Sequence, residues 1–297
     1  MPYFVREGIK LHYLDEGEGP AVLFLHEFGG DARTWTQQIR YFAENSENPR
    51  RCIVLSARGY PPSDVPEQAT DYGWQINMRD AFGVMAHLGL TCFDVVGLSM
   101  GAYIALMMCL DAPEKIGSCV CASVGSGAHL PTREAFIKDA LASADNILKQ
   151  NKVPATQMAL APNRIQLRAK DPDAWQTFCD HLGEHPAIGA AHTLAQVQAK
   201  RPGLHDFADQ LAELETPVLI LAGDEDEPCL DASLWLKRQT PYSGLKLYPR
   251  SGHLLNLESP DEFNKDIACF HRLVAENKWP KRDQTPFLSM FQSDNKG

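Results

Sequence analysis

The chain has 297 residues, 44% apolar and 22% charged, which suits one large globular unit with its own core and excludes a disordered chain. Its 28 basic against 38 acidic residues leave a formal charge of −10, so phosphate backbones and anionic lipid are repelled, and neither nucleic acid nor a membrane is expected as a partner. The eight cysteines form no CxxC pair, the N-terminal MPYFVREGIK lacks the pattern of a secretory leader, and no apolar run reaches the ~18 residues of a membrane span; a cytoplasmic protein with reduced thiols and no metal site is expected.

In chain order, residues 3–5 and 10–14 alternate in polarity and predict a hairpin turned at Glu7-Gly8. Residues 21–25 are an apolar run entered from Gly19-Pro20, as for a buried strand, and 34–43 read as a helix. Strands are predicted at 52–55, 94–98 and 116–122, with helices at 72–88 and 102–110 between them. From 125 to 210 the pattern is helical but cut by Pro131, Pro154, Pro162, Pro172, Pro186 and Pro202, each of which caps or breaks a helix. Alternation returns with strand 217–222, helix 231–239, strand 244–248 and helix 261–276. Strand–helix alternation implies an α/β protein with a mostly parallel twisted sheet and helices on both faces. Residues 1–124 and 211–278 form its core, 125–210 a helical lid inserted between the two halves, and 279–297 a tail that is extended or loose.

Asp94-Val-Val-Gly-Leu-Ser99-Met-Gly101 passes from strand to helix through Gly-x-Ser-x-Gly. That pattern suits a nucleophilic serine on a sharp turn, where side chains two residues to either side would clash, and it puts the Met100 amide at a helix N-terminus facing a developing oxyanion. A serine hydroxyl needs a base, and the base an orienting acid. Strand 217–222 runs into Gly223-Asp-Glu-Asp226, where Asp226 is read as the acid with Asp224 the alternative; strand 244–248 runs into Ser251-Gly252-His253, where His253 is read as the base. Glu258 caps the next helix or props the histidine loop.

Strand 21–25 ends in His26-Glu27-Phe28-Gly29-Gly30, a turn whose amides could face an oxyanion. With the chain order serine, aspartate, histidine, the sequence resembles the α/β-hydrolase fold family from about residue 3 to 276, and its serine esterase and lactonase branch in particular. The resemblance implies that the Phe28 and Met100 amides form the oxyanion hole. It marks two departures: Glu27 where the family usually has Gly, and Ser56-Ala-Arg58-Gly59-Tyr60-Pro61-Pro-Ser63, where the related loop has Asp first and Gly at Pro61; Arg58 is read as structural. Haloalkane dehalogenases and epoxide hydrolases carry Asp where this chain has Ser99, and hydrolases of carbon–carbon bonds often carry Trp where it has Leu254. The expected reaction is hydrolysis of a small carboxylic ester or lactone through an acyl-enzyme, with no cofactor and a pocket drawn from Phe28, Phe136, Trp175, Phe178 and Leu254. The alternatives are carbon–carbon cleavage of a diketone-type ring-fission product, cofactor-free perhydrolysis, or a non-catalytic ligand receptor on the same scaffold.

Overall fold

The hairpin forms as β1 (Tyr3–Arg6) and β2 (Ile9–Glu16), paired antiparallel from Tyr3 opposite His12 to Arg6 opposite Ile9. Both turn residues have positive φ, 53° at Glu7 and 83° at Gly8, the two-residue turn whose twist matches that of the flanking strands. The computed structural model describes residues 2–44, 49–128 and 130–283.

The remaining strands are β3 (Ala21–Leu25), β4 (Arg51–Leu55), β5 (Phe93–Leu98), β6 (Ile116–Ala122), β7 (Val218–Gly223) and β8 (Ser243–Tyr248). They form an eight-stranded sheet in the order β1-β2-β4-β3-β5-β6-β7-β8, antiparallel through β2 and β4 and parallel from β4 to β8. The central strands are apolar on both faces, as a sheet covered on both sides requires. The two-residue period divides them: Leu23, Ile53, Val95 and Ile220 enter one core, and Phe24, Val54, Val96 and Leu221 enter the other.

Helices cover both faces: α1 (Thr36–Ala43), α2 (Trp74–His87) and α3 (Met100–Asp111) in the first half, and α10 (Glu227–Gln239), α11 (Leu255–Glu258) and α12 (Pro260–Ala275) in the second. Between β6 and β7 lie α4 (Arg133–Gln150), α5 (Ala155–Ala159), α6 (Ile165–Lys170), α7 (Pro172–Gly183), α8 (Ala187–His192) and α9 (Ala208–Glu213). The prolines punctuate this insertion as expected: Pro154 and Pro186 stand at the N-caps of α5 and α8, and Pro172 opens α7 behind an Asp171 carboxylate that accepts from the Ala174 amide. A π-helical turn, Thr193–Gln198, continues α8.

Two helices differ from expectation in their limits, and a third is new. The helix read at 34–43 is split into a 3-10 turn, Ala32–Trp35, and α1, because Asp31 caps the first piece by accepting from Arg33 N. The helix read from 231 begins at Glu227, since Pro228 in the first turn starts a helix instead of blocking it. The four-residue α11 was not foreseen. The insertion packs on the carboxyl ends of the strands, where Phe28 and Leu254 of the core share one apolar cluster with Ile147, Leu167, Trp175 and Leu182. Past α12, the Trp279 indole donates to Tyr242 O at 2.8 Å and meets Phe270 edge to face, ring centres 4.7 Å apart; the rest of the expected tail, 284–297, lies outside the described residues. Among the described residues, no helix is long and apolar enough to cross a membrane.

Candidate active site

Ser99 stands between β5 and α3 with φ 54° and ψ −106°, a conformation that costs a residue with a side chain. Close packing holds it there. A Cβ at Gly101 would lie 2.0 Å from the Leu25 carbonyl oxygen, and one at Gly97 would lie 2.3 Å from the Gly101 backbone, so β3, β5 and α3 meet at distances only glycine permits. The Ser99 amide donates to Ala122 O on β6 at 2.8 Å. Met100 is the first residue of α3, and neither its amide nor that of Phe28 takes part in the loop and cap backbone hydrogen bonds of the described residues.

His253 and Asp226 come from the loops after β8 and β7. Nδ1 of His253 lies 2.8 Å from Asp226 Oδ2, both side chains being buried. Burial pushes the Asp226 carboxyl up, but the imidazole beside it and hydrogen bonds from His253 and Asn163 hold it below the usual carboxylate range. An ionised Asp226 can only accept, so Nδ1 is the donor of this pair and, in the neutral imidazole, Nε2 is the acceptor. Asp224, the alternative acid, turns away and accepts from Ser251 N at 3.2 Å. Glu258 props the histidine loop: Oε2 accepts from Gly252 N at 2.8 Å and Oε1 from Leu254 N at 3.1 Å. Arg58 is structural, its guanidinium forked on the Asp80 carboxylate at 2.7 and 2.8 Å.

The loop leading into α6 completes the site. Asn163 accepts from His253 N at 2.7 Å and donates through Nδ2 to Asp226 Oδ1 at 2.9 Å. Arg164 Nη2 donates to Glu27 Oε2 at 2.7 Å, and that same oxygen lies 3.9 Å from His253 Nε2. Gln166 donates to Glu225 and Lys170 to Ser251 Oγ, each at 2.7 Å. Sequence reasoning missed all four, because isolated polar residues in a proline-cut helical stretch carry no pattern; the one signal was the departure from glycine at Glu27.

Ser99 and His253 open on a cavity of about 450 Å³, a size suited to a small molecule. Phe28 and Phe136 line it as expected, together with Ile147, Met158 and Leu194. Trp175, Phe178 and Leu254 do not reach this cavity. The apolar face of α7 turns inward, so Trp175 and Phe178 fill the core of the insertion, the Trp175 indole donating to Ala159 O at 3.0 Å, and Leu254 seals the same cluster from below. Donor atoms of Asp226, Cys229 and His253 lie within 4.8 Å of one another. A metal there would have to displace the Nδ1–Asp226 hydrogen bond and deprotonate a thiol that burial and the Asp226 charge push well up, so the trio is a poor metal site.

A serine on a strained strand-to-helix turn, with a histidine–aspartate pair delivered to the same sheet edge, defines a hydrolase of the α/β type. The model of the alpha/beta hydrolase family matches residues 22–266, and the chain belongs to that family. It is 28% identical over 280 residues to the 2-hydroxy-6-oxononadienedioate/2-hydroxy-6-oxononatrienedioate hydrolase 2 of Pseudomonas putida, covering 90% of this chain and 94% of that one. Among solved structures it is similar to a thermophilic esterase from Thermogutta terrifontis (TM-score 0.80, 24% identity, 92% of this chain and 97% of that one). It is also similar to Est816, described as an N-acyl homoserine lactone degrading enzyme (TM-score 0.70, 25% identity, 91% and 100%). The protein is therefore a hydrolytic enzyme.

Proposed function

We propose that this enzyme cleaves small carboxylic esters or lactones through an acyl-enzyme on Ser99. The observation that carries the reading is the buried 2.8 Å contact between His253 Nδ1 and Asp226, with Ser99 on the wall of the cavity that His253 also lines. Ser99 Oγ attacks the carbonyl as Nε2 takes its proton. Asp226 holds the imidazole tautomer and stabilises the imidazolium. The amides of Phe28 and Met100 bind the oxyanion. His253 then returns the proton to the leaving alcohol and activates the water that releases the acid. The insertion acts as the lid of the site.

Carbon–carbon cleavage of a ring-fission product is the second reading, favoured by the Pseudomonas putida relative. Against it, Leu254 follows the base where such enzymes often carry tryptophan, and it is buried away from the cavity. Rates on nitrophenyl esters and lactones of rising acyl size, beside a ring-fission diketone and each compared with Ser99→Ala, test the proposal. Ester or lactone turnover that Ser99→Ala abolishes supports it; Ser99→Ala at the wild-type rate, or turnover of the diketone alone, overturns it.

A further inference from the structure

Glu27 occupies the position after His26 where glycine is usual, and the surrounding loop is built to hold a carboxylate. Its side chain is fully buried, and its Oε1 has no hydrogen-bond partner. A Cβ at Gly29 would come within 2.9 Å of that oxygen, so the neighbouring glycine leaves room for it. The other oxygen is paired with Arg164. Burial pushes the carboxyl up, but the Arg164 guanidinium and the His253 imidazole bring it below the usual range, so it is charged at neutral pH.

Arg164 is the only lysine or arginine among the described residues lining the cavity, and its side chain is 15% exposed. Left alone, it would be a ready site for a carboxylate. It is not alone. Glu27 neutralises it directly, Asp226 lies near enough to favour its charge further, and the one carboxylate on the cavity wall, Asp139, adds negative charge. An incoming anion would therefore have to break the buried Arg164–Glu27 ion pair to gain a partner of its own.

We propose that Glu27 is a specificity-determining residue, a built-in carboxylate that occupies Arg164 and makes the cavity select uncharged acyl groups over those carrying a carboxylate. This rests on the ester hydrolase reading and narrows its substrate class.

The test compares 4-nitrophenyl butyrate with mono-4-nitrophenyl glutarate, whose acyl chain ends in a carboxylate, in the wild type, Glu27→Gln and Arg164→Gln. The wild type should prefer the neutral ester in kcat/KM. Glu27→Gln, which keeps the size and one donor–acceptor contact, should narrow that preference about 10–100-fold by freeing the guanidinium. Arg164→Gln, leaving Glu27 unpaired, should widen it. A wild type indifferent to the charge, an unchanged ratio in Glu27→Gln, or narrowing in Arg164→Gln overturns the proposal; if Glu27→Gln does not fold, the wild-type and Arg164→Gln ratios decide. Calorimetric binding of phenylacetate and its isostere phenylacetamide to Ser99→Ala and to Ser99→Ala/Glu27→Gln needs no turnover. An amide preference that Glu27→Gln reverses supports the role of Glu27 even if no ester is hydrolysed; the same preference in both proteins refutes it.

Discussion

Replacing Ser99 by glycine, and in parallel by alanine, separates the energetic from the chemical role of this residue. Its backbone sits at φ 54°, ψ −106°, with ψ far from the value near +47° of the left-handed helical well that non-glycine residues occasionally visit. Alanine must adopt the same conformation, so it retains a strain of about 1–3 kcal/mol. Glycine escapes that strain but loses about 0.5–1 kcal/mol more backbone entropy on folding. The net expectation is that Ser99→Gly exceeds Ser99→Ala in stability by about 1 kcal/mol, with both inactive on esters. At about 2 cal/mol/K of unfolding entropy per residue, that difference raises Tm by about 2 °C in a chain of this length. Urea titration and thermal unfolding of the two variants, side by side, measure it. A glycine variant no more stable than the alanine variant would show that the turn stores no energy and that the positive φ is not a cost of presenting the hydroxyl.

Gly101→Ala pushes a methyl to 2.0 Å from Leu25 O, so α3 must shift by about 1 Å; on the proposed mechanism a displacement of that order at Ser99 lowers kcat/KM about 100-fold, and overpacking costs about 1–3 kcal/mol in denaturation. Arg58→Met leaves Asp80 buried with only Arg6 to pair it and should cost about 3 kcal/mol, whereas Arg51→Met, at the half-exposed pair with Asp15, should cost less than about 1 kcal/mol; equal losses would contradict the burial argument. His271 is buried with both ring nitrogens unpartnered, and burial pushes its pKa down to about 4. The unfolded chain, titrating near 6.5, binds the proton more readily between about pH 6.5 and 4, so stability falls by up to about 3 kcal/mol as pH drops through that window and changes little above it. Unfolding of the wild type and His271→Leu at pH 7 and pH 5 checks this; the variant should lose less on acidification.

What could be read from the sequence follows the strength of local pattern. The strands came within a residue or two of their observed limits because each central one is a short apolar run between turn residues, and the hairpin was legible in the alternation on either side of Glu7-Gly8. Ser99, Asp226 and His253 could be singled out because Gly-x-Ser-x-Gly and the turns just past two later strands stand out locally, with glycines at 97, 101, 223 and 252 marking close approaches. The pocket walls were not legible. An aromatic on an amphipathic helix looks the same whether its face meets a cavity or a core, so Phe136 and Phe178 could not be told apart until the helices were placed. Nor could Asn163 or Arg164 be found, since their partners lie more than sixty positions away in the chain and no periodicity announces them.

Asn163 has a consequence for engineering. By binding both the main chain of His253 and the carboxylate of Asp226, it ties the histidine–aspartate pair to a segment grafted between two halves of the sheet. A chimera carrying the corresponding segment of another hydrolase therefore exchanges more than the walls around the substrate. It removes the Asn163 amide from the Asp226 carboxylate, and its fate as a catalyst depends on whether the donor protein brings an equivalent amide to that oxygen.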